Sequence, residues 1–151
     1  MLDNFDAQIL RLVQADCRRP AADIAQDVGL SPSAVQKRLT RLRREGIIDR
    51  EVAVLSPKAA GNFVLFLVNI QLTRTKANSI DKFRNLMMQT AEVMQCFHVT
   101  GESDFVLLVA VRSIDAYEAF SNRLFIEDHC VARFETSVVL RSVKCGLELP
   151  L

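Results

Sequence analysis

The stretch Leu30-Ser31-Pro32-Ser33-Ala34-Val35-Gln36-Lys37-Arg38-Leu39-Thr40-Arg41-Leu42-Arg43-Arg44-Glu45-Gly46-Ile47-Ile48 leaves the chain few choices. Ser31 suits a helix cap, since its oxygen can accept from the free amides of the first turn, and Pro32 suits the first helical position. Val35, Leu39 and Leu42 recur at spacings of four and three and form one narrow inward stripe. At about 100° per residue, Ser33, Lys37, Thr40, Arg41 and Arg44 fall on the opposite face. Gly46 ends the helix, and apolar Ile47 and Ile48 lead into the next element. Lys37, Arg38, Arg41, Arg43 and Arg44 stand against a single acid, Glu45. A short, capped, one-sided cation is either a solvated face or a DNA recognition helix.

The preceding chain favours the second reading. Arg19–Val28 reads as a short helix with Ile24, Ala25 and Val28 inward, and Gly29 supplies a turn before Ser31-Pro32 restarts the chain. Helix, glycine turn, capped basic helix is the helix-turn-helix arrangement. Residues 5–16 form a first amphipathic helix with Phe5, Ile9, Leu12 and Val13 at helical spacing and Leu10 alongside. Asp3 caps it, and Asp6 favours its first turn through the helix dipole. Pro20 opens the second helix without a side-chain acceptor. The candidate DNA-binding residues are Ser31, Ser33, Gln36, Lys37, Arg38, Thr40, Arg41 and Arg44. Among these, Ser33, Gln36, Lys37 and Thr40 are expected at base edges, and Arg41 and Arg44 at phosphates. Arg38 either joins the phosphate contacts or pairs within the fold.

Composition adds bounds. A chain of 151 residues suits one compact domain or two small ones, and half of it is hydrophobic, enough for a core. The formal net charge of +1 says nothing about nucleic acid by itself. Residues 1–61 carry +2 and residues 62–151 carry −1, so the positive field is concentrated on one helix. Cys17, Cys96, Cys130 and Cys145 show no paired spacing, and with only His98 and His129 a structural zinc site is not expected. Met1-Leu2-Asp3-Asn4 carries an acid where a signal peptide has a basic segment, so the cysteines are expected reduced in a cytoplasmic protein. No apolar run approaches the roughly 18–20 residues that span a bilayer, no membrane association is expected, and no cofactor is implied.

After Gly46 the pattern changes. Residues 49–55 read as a strand leaving the helical unit, followed by Ser56-Pro57 and the punctuation Ala59-Ala60-Gly61-Asn62. Phe63–Leu72 is a strand, apolar on both faces at its start. Ser79 caps a helix with Ile80, Phe83, Leu86 and Met87 on one face. Val93, Phe97 and Val99 mark a second strand, Thr100–Ser103 a turn, and Phe105–Val111 an apolar third strand. Ser113 caps a helix with Tyr117, Phe120 and Leu124 inward. Val131–Leu140 is the fourth strand, with Arg133, Glu135 and Ser137 along one face. The order βαββαβ is the ferredoxin-like split motif. Its two helices cover one face of the sheet, while the first and third strands are apolar on both, so a second subunit is expected on the other. The fold class is therefore α+β. Residues 1–50 form the helix-turn-helix domain, 51–62 a hinge strand and linker, and 63–151 the αβ domain. A dimer presents two recognition helices, which suits double-stranded DNA with a near-palindromic operator.

Leu2-Asp3, Asp6, Ile9-Leu10, Ile24-Ala25, Leu30-Ser31-Pro32, Arg38-Leu39, Leu42 and Gly46-Ile47-Ile48 resemble the Lrp/AsnC (feast/famine) transcriptional regulators. So do Cys96, Val99-Thr100-Gly101, Asp104, Val131, Glu135-Thr136-Ser137 and Val139-Leu140, and the match runs in order through essentially the whole chain. The resemblance implies a winged or extended helix-turn-helix, a hinge strand and a ligand-responsive αβ domain. It also implies homodimers assembling to tetramers or octamers, with an amino-acid effector between subunits. On the family pattern the effector set is Thr100, Gly101, Glu102, Ser103 and Asp104, with Thr136 and Ser137 close by. Gly101 permits positive φ, and Asp104 offers an acceptor to an α-ammonium group, although both also serve a plain turn. The chain departs from the family at Ser103, where an aromatic is frequent, and at His129-Cys130, where small residues are usual. His98 adds an imidazole beside the loop, for which a hydrogen bond within the strand is expected.

These departures leave a DNA-binding regulator without an effector as the alternative, and two rival readings from other classes exist. Cys96, His98, Glu102, Asp104 and His129 are reactive types, but they show no nucleophile motif or metal spacing, so an enzyme is not expected. A ferredoxin-like sheet can also stack RNA bases, but that needs exposed aromatics on the central strands, and Phe105 stands alone at the head of an aliphatic run.

Overall fold

In the computed structural model, which describes residues 2–56, 60–73, 78–126 and 130–151, the chain falls into two units. One comprises Met1–Val54 with Lys144–Leu151, the other Leu55–Val143. Pro57, Ala59 and His129, which figure in the sequence reading, lie outside the described residues.

The first unit is built on α1 (Asn4–Ala15), α2 (Ala21–Val28) and α3 (Pro32–Arg44). The Asp3 cap forms as a reciprocal box: the Asp6 amide donates to Asp3 Oδ1 at 2.8 Å, and the Asp3 amide to Asp6 Oδ2 at 3.2 Å. Helix α2 starts after Pro20 with no side-chain cap and ends on Gly29 in the left-handed conformation, φ +68°. Ser31 caps α3, accepting from the Ala34 amide at 3.2 Å. Ile9, Val13, Ile24, Val28, Val35 and Leu39 form one apolar cluster, each side chain contributing about 1.5–3 kcal/mol on burial. Phe5, expected inward, is 40% exposed. The Arg38 guanidinium lies over its ring, 5.6 Å from the centroid.

Asp6 does more than complement a dipole: it has no exposed surface. Its Oδ1 accepts from Arg38 Nη1 at 2.7 Å, and its Oδ2 accepts from Arg41 Nη2. Arg38 Nη1 also donates to Asp3 Oδ2 at 2.7 Å. Burial opposes ionisation of Asp6, but the Asp3 amide and the two guanidinium groups outweigh it and hold the carboxyl below its ordinary range.

Lys144–Leu151, expected with the second domain, belong to the first unit. The Gln14 side chain accepts from the Leu149 amide at 2.7 Å and donates to the Leu149 carbonyl at 3.2 Å, while Arg11 Nε donates to the Leu151 backbone oxygen. The strand expected at 49–55 does not form, and the first unit contains no wing strand among its described residues. A strand needs a neighbour for its amides and carbonyls, and here the segment has none. Val52, Val54 and Leu55 are exposed, and Glu51 is held to α3 by Arg43 Nη2 at 2.6 Å.

The second unit comprises β1 (Val64–Leu72), α4 (Ser79–Gln89), β2 (Val93–His98), β3 (Phe105–Val111), α5 (Ile114–Ser121) and β4 (Val131–Val138). The strands pair antiparallel in the order β2-β3-β1-β4, so the βαββαβ reading is realised with β1 and β3 central. Phe66, Val68, Ile70, Leu107 and Val109 point toward Phe83, Met87, Tyr117 and Phe120 of the helices and form the core. Asn78, not Ser79, occupies the N-cap of α4, so Ser79 is the first helical residue and is buried with Phe83 and Met87, while Ile80, expected on that face, is exposed. Ser113 caps α5 as expected, accepting from the Ala116 amide at 3.0 Å. Helix α5 runs on into a wider π turn, Asn122–Ile126, that buries the adjacent Leu124 and Phe125 together. Strand β4 ends at Val138, short of Leu140.

The Asp6 ion cluster makes two expectations measurable by denaturant unfolding of the full chain. Asp6→Ala, which removes the shared carboxylate while leaving Arg38 to Asp3 and the partly exposed Arg41 to Glu45, should destabilise the first unit by about 1–3 kcal/mol. Because the folded carboxyl titrates below its unfolded value, its contribution is present above pH ~4 and fades as pH falls further. The stability gap between the natural chain and Asp6→Asn should therefore narrow below pH ~4.

Candidate functional site

On α3, Val35, Leu39 and Leu42 are buried, and Ser33, Gln36, Lys37, Thr40 and Arg44 are exposed on the far side. Ser31 is committed to its cap and lies 3.1 Å from Ser33 Oγ. Thr40 Oγ1 donates to the Gln36 carbonyl at 2.9 Å, which leaves the exposed hydroxyl oxygen able to accept. The five cations divide. Arg38 takes the second of its two expected roles and pairs with Asp3 and Asp6. Arg41, expected at a phosphate, is drawn onto Asp6, with Glu45 Oε2 4.0 Å from its Nε. Arg43 pairs with Glu51. Lys37 and Arg44 have no hydrogen-bond or ion-pair partner among the described residues. The outward charge is therefore smaller than the sequence count suggests.

In the second unit, Val99 and Asp104 close the loop between β2 and β3, the Val99 amide donating to the Asp104 carbonyl at 3.0 Å. Gly101 sits at φ +119° with no atom within 4 Å of where a Cβ would stand, so the backbone conformation, not crowding, calls for glycine. The Asp104 amide donates to the Ile70 carbonyl at 2.8 Å, and its Oδ2 accepts from the Leu72 amide at 2.7 Å. Asp104 thereby pins the loop to the end of β1. Gln71 Nε2 adds a bond to the Glu102 carbonyl at 2.7 Å.

Beside this loop, on the sheet face away from the helices, lies a polar cleft of about 100 Å³. It is lined by Asn69, Gln71, Glu102, Ser103, Arg133 and Glu135. Arg133 Nη2 donates to Glu135, so the floor carries a guanidinium and a carboxylate side by side. The pairing register explains the cluster: Asn69 is opposite Glu135 and Gln71 opposite Arg133. Of the expected effector residues, the cleft gathers Glu102 and Ser103. Gly101 and Asp104 shape its loop, and Thr100 is exposed at the loop's start. Thr136 and Ser137 do not meet there. Thr136 points to the helix side, where it shares a hydrogen bond with the Tyr117 hydroxyl, while Ser137 stands opposite Leu67 on the cleft's face. Side chains alternate between faces along a strand, so consecutive residues cannot line one cleft together. Asn69, Gln71, Arg133 and Glu135 escaped the sequence reading as site residues. The visible signal was polar alternation in β4 and at the end of β1.

Among the described residues, which do not include His129, the reactive side chains form no second site. Burial pushes the Cys96 thiol up, away from the thiolate a nucleophile needs. The His98 ring stacks on Phe105, centroids 4.8 Å apart, in place of the hydrogen bond expected. No group of three or more His, Cys, Asp or Glu suited to a metal occurs among the described residues. Phe105 is buried on the helix side, so no base can stack on it. Among the described residues, no helix is long and apolar enough to cross a membrane.

Comparison with known proteins places these features. Residues 2–43 match the AsnC-type helix-turn-helix domain, and residues 65–149 match the Lrp/AsnC ligand binding domain. An HTH-type transcriptional regulator of Sinorhizobium fredii is 40% identical over 99% of this chain and 89% of its own length. The leucine-responsive regulatory protein of Escherichia coli K12 is 30% identical over 95% of this chain and 87% of its own. Among solved structures, an AsnC family regulator of Agrobacterium tumefaciens superposes with a TM-score of 0.91 at 30% identity, covering 99% of this chain and 97% of that one. A Neisseria meningitidis transcriptional regulator in complex with L-methionine gives 0.93 at 28% identity, with the same coverage. The chain belongs to the Lrp/AsnC family of transcriptional regulators.

Proposed function

We propose that this regulator binds double-stranded DNA as a homodimer or a higher assembly of dimers, setting two copies of α3 into the major groove of a near-palindromic operator. The observation that carries this reading is the outward face of α3, where Lys37 and Arg44 lack any partner among the described residues and stand beside exposed Ser33, Gln36 and Thr40. Side chains toward the N-terminal half of such a helix, Lys37 among them, reach base edges, and an unpaired arginine nearer its end fixes the register on a phosphate. Arg44 is assigned to phosphate, and Ser33, Gln36, Lys37 and Thr40 to bases.

The sheet supports the assembly. Its uncovered face carries Leu65, Leu67, Val106, Leu108 and Ala110 in adjacent paired positions, with Phe97 beyond Val106 and 54% exposed. A second sheet packed there would bury this patch. The exposed hinge segment with Val52, Val54 and Leu55 would find its strand partner in the same way. We assign the polar corner of that face to the effector, an amino acid. Arg133 suits its carboxylate, and Glu102 or Glu135 its ammonium group. At about 100 Å³ the cleft falls short of the ~300–1,000 Å³ typical of ligand pockets, so one chain supplies one wall and a neighbour the other. The L-methionine bound by the Neisseria relative supports an amino-acid effector. The regulator is expected to work in the cytoplasm and to catalyse no reaction.

Fluorescence anisotropy on the DNA upstream of its own coding sequence, across a salt series, tests the DNA reading. Arg44→Ala should weaken all binding about uniformly and shallow the slope of log K against log salt by about 0.9, one phosphate contact. Gln36→Ala should relax the ranking of sites, and an unaltered ranking would remove Gln36 from base readout. For the effector, calorimetric titration with the standard amino acids should show binding that Arg133→Ala abolishes. Thr136→Val, on the other sheet face, should leave that binding intact while costing about 0.5–1.5 kcal/mol of stability, because the Tyr117 hydroxyl loses its hydrogen bond to an exposed side chain. Sedimentation with and without the bound amino acid should differ, since a ligand shifts assembly only by favouring one state.

A further inference from the structure

Three of the five cations on the recognition helix are paired inside the first unit, and the carboxylate holding two of them is wholly buried. Arg41 is the informative case. On a helix it neighbours Lys37, four residues before it, and Arg44, three after it, so it borders the stripe of unpartnered charge. Its guanidinium is nevertheless bracketed by Asp6 on one side and by Glu45 on the other, 4.0 Å from Nε. That Nε is buried and makes no hydrogen bond of its own. Arg38, further round the helix, is fixed by Asp3, Asp6 and the Phe5 ring. A capping box alone would need Asp6 only to reach the Asp3 amide. The additional placement of both its oxygens against guanidinium groups sets the charge that α3 presents.

We infer that Asp6 is a specificity-determining residue of the DNA interface: by sequestering Arg38 and Arg41 it keeps two cations off the phosphate backbone and so suppresses sequence-independent binding. Phosphate contacts raise affinity for every sequence alike, whereas base contacts discriminate. A recognition helix with all five cations free would gain on all DNA and lose its ratio of operator to bulk. With the ion cluster in place, α3 offers Lys37 and Arg44 as its free charges among the described residues, and polar side chains do the choosing. This rests on the DNA-binding reading above.

The test uses the full chain, a duplex of arbitrary sequence and the duplex upstream of its own coding sequence, each titrated by anisotropy across a salt series. Asp6→Asn keeps the shape and releases the charge. It should steepen the salt slope on arbitrary DNA by about 0.9 for each freed guanidinium that reaches a phosphate, and it should compress the ratio between the two duplexes. Adding Arg41→Gln to Asp6→Asn should return the slope by about 0.9. A merely structural Asp6 would lower the active fraction and leave the slope alone, and an unchanged or shallower slope in folded Asp6→Asn overturns the inference. If Asp6→Asn does not fold, the arginine Nε–H resonances of the unsubstituted protein decide. On adding arbitrary duplex, Arg44 should shift while Arg38 and Arg41 stay put, and a shift at Arg41 overturns the inference. Failure of the unsubstituted protein to bind any DNA would instead remove the DNA-binding reading itself.

Discussion

A carboxylate with no exposed surface is costly unless its charge is paired and both its oxygens are hydrogen-bonded, and in this chain Asp6 is answered by one amide and two guanidinium groups. That requirement couples the start of α1 to the middle of α3. The apolar stripes of the three helices bring them together, but apolar packing tolerates sliding and rotation of one helix against another. Ion pairs with fixed donors do not. The polar contact at the edge of the apolar cluster thus adds a fixed point of attachment between α1 and α3. The charge on the outer face of α3 is set by the same contact.

The αβ unit solves a different problem. Its sheet has one face covered by α4 and α5, and the other changes character along the strands. Aliphatic side chains occupy the paired positions of Leu65, Leu67, Leu108 and Ala110, and polar ones those of Asn69, Gln71, Arg133 and Glu135. The boundary falls between Leu67 and Asn69 on β1, two residues apart on the same face. An apolar half suits a dry interface, and a polar half beside a glycine-shaped loop suits a small charged ligand. Both properties are written along one central strand.

The helices, their Asp3, Ser31 and Ser113 caps and the order of the αβ unit were legible because each depends on neighbours a few residues away. Asp6 was not. An acid in the first turn satisfies the helix dipole wherever it stands, and its burial follows from residues 32 and 35 positions further on. Thr136 and Ser137 show a subtler limit. The period of two places them on opposite faces, but β4 carries too few apolar residues to tell which face is which until its register on β1 is known. At residues 49–55 the β-forming composition was plain, and a strand still requires a partner that this single chain lacks. Val93 and Phe97 are spaced to share a strand face, but the bulge between Val93 and Gln95 turns Phe97 to the other side, where it is exposed.

The seating of Lys144–Leu151 on α1 makes the DNA-binding unit discontinuous in sequence, with the whole αβ unit inserted into it. Such an insertion behaves as a closed loop. The entropy of closing it grows only with the logarithm of its length, so a long insertion is held almost as easily as a short one. The helical unit is consequently complete only when both ends of the chain are in place. A fragment cut at the hinge would leave the Gln14 and Arg11 side chains without the backbone groups they now bind. What looks in sequence like a self-contained N-terminal module also draws on Lys144–Leu151.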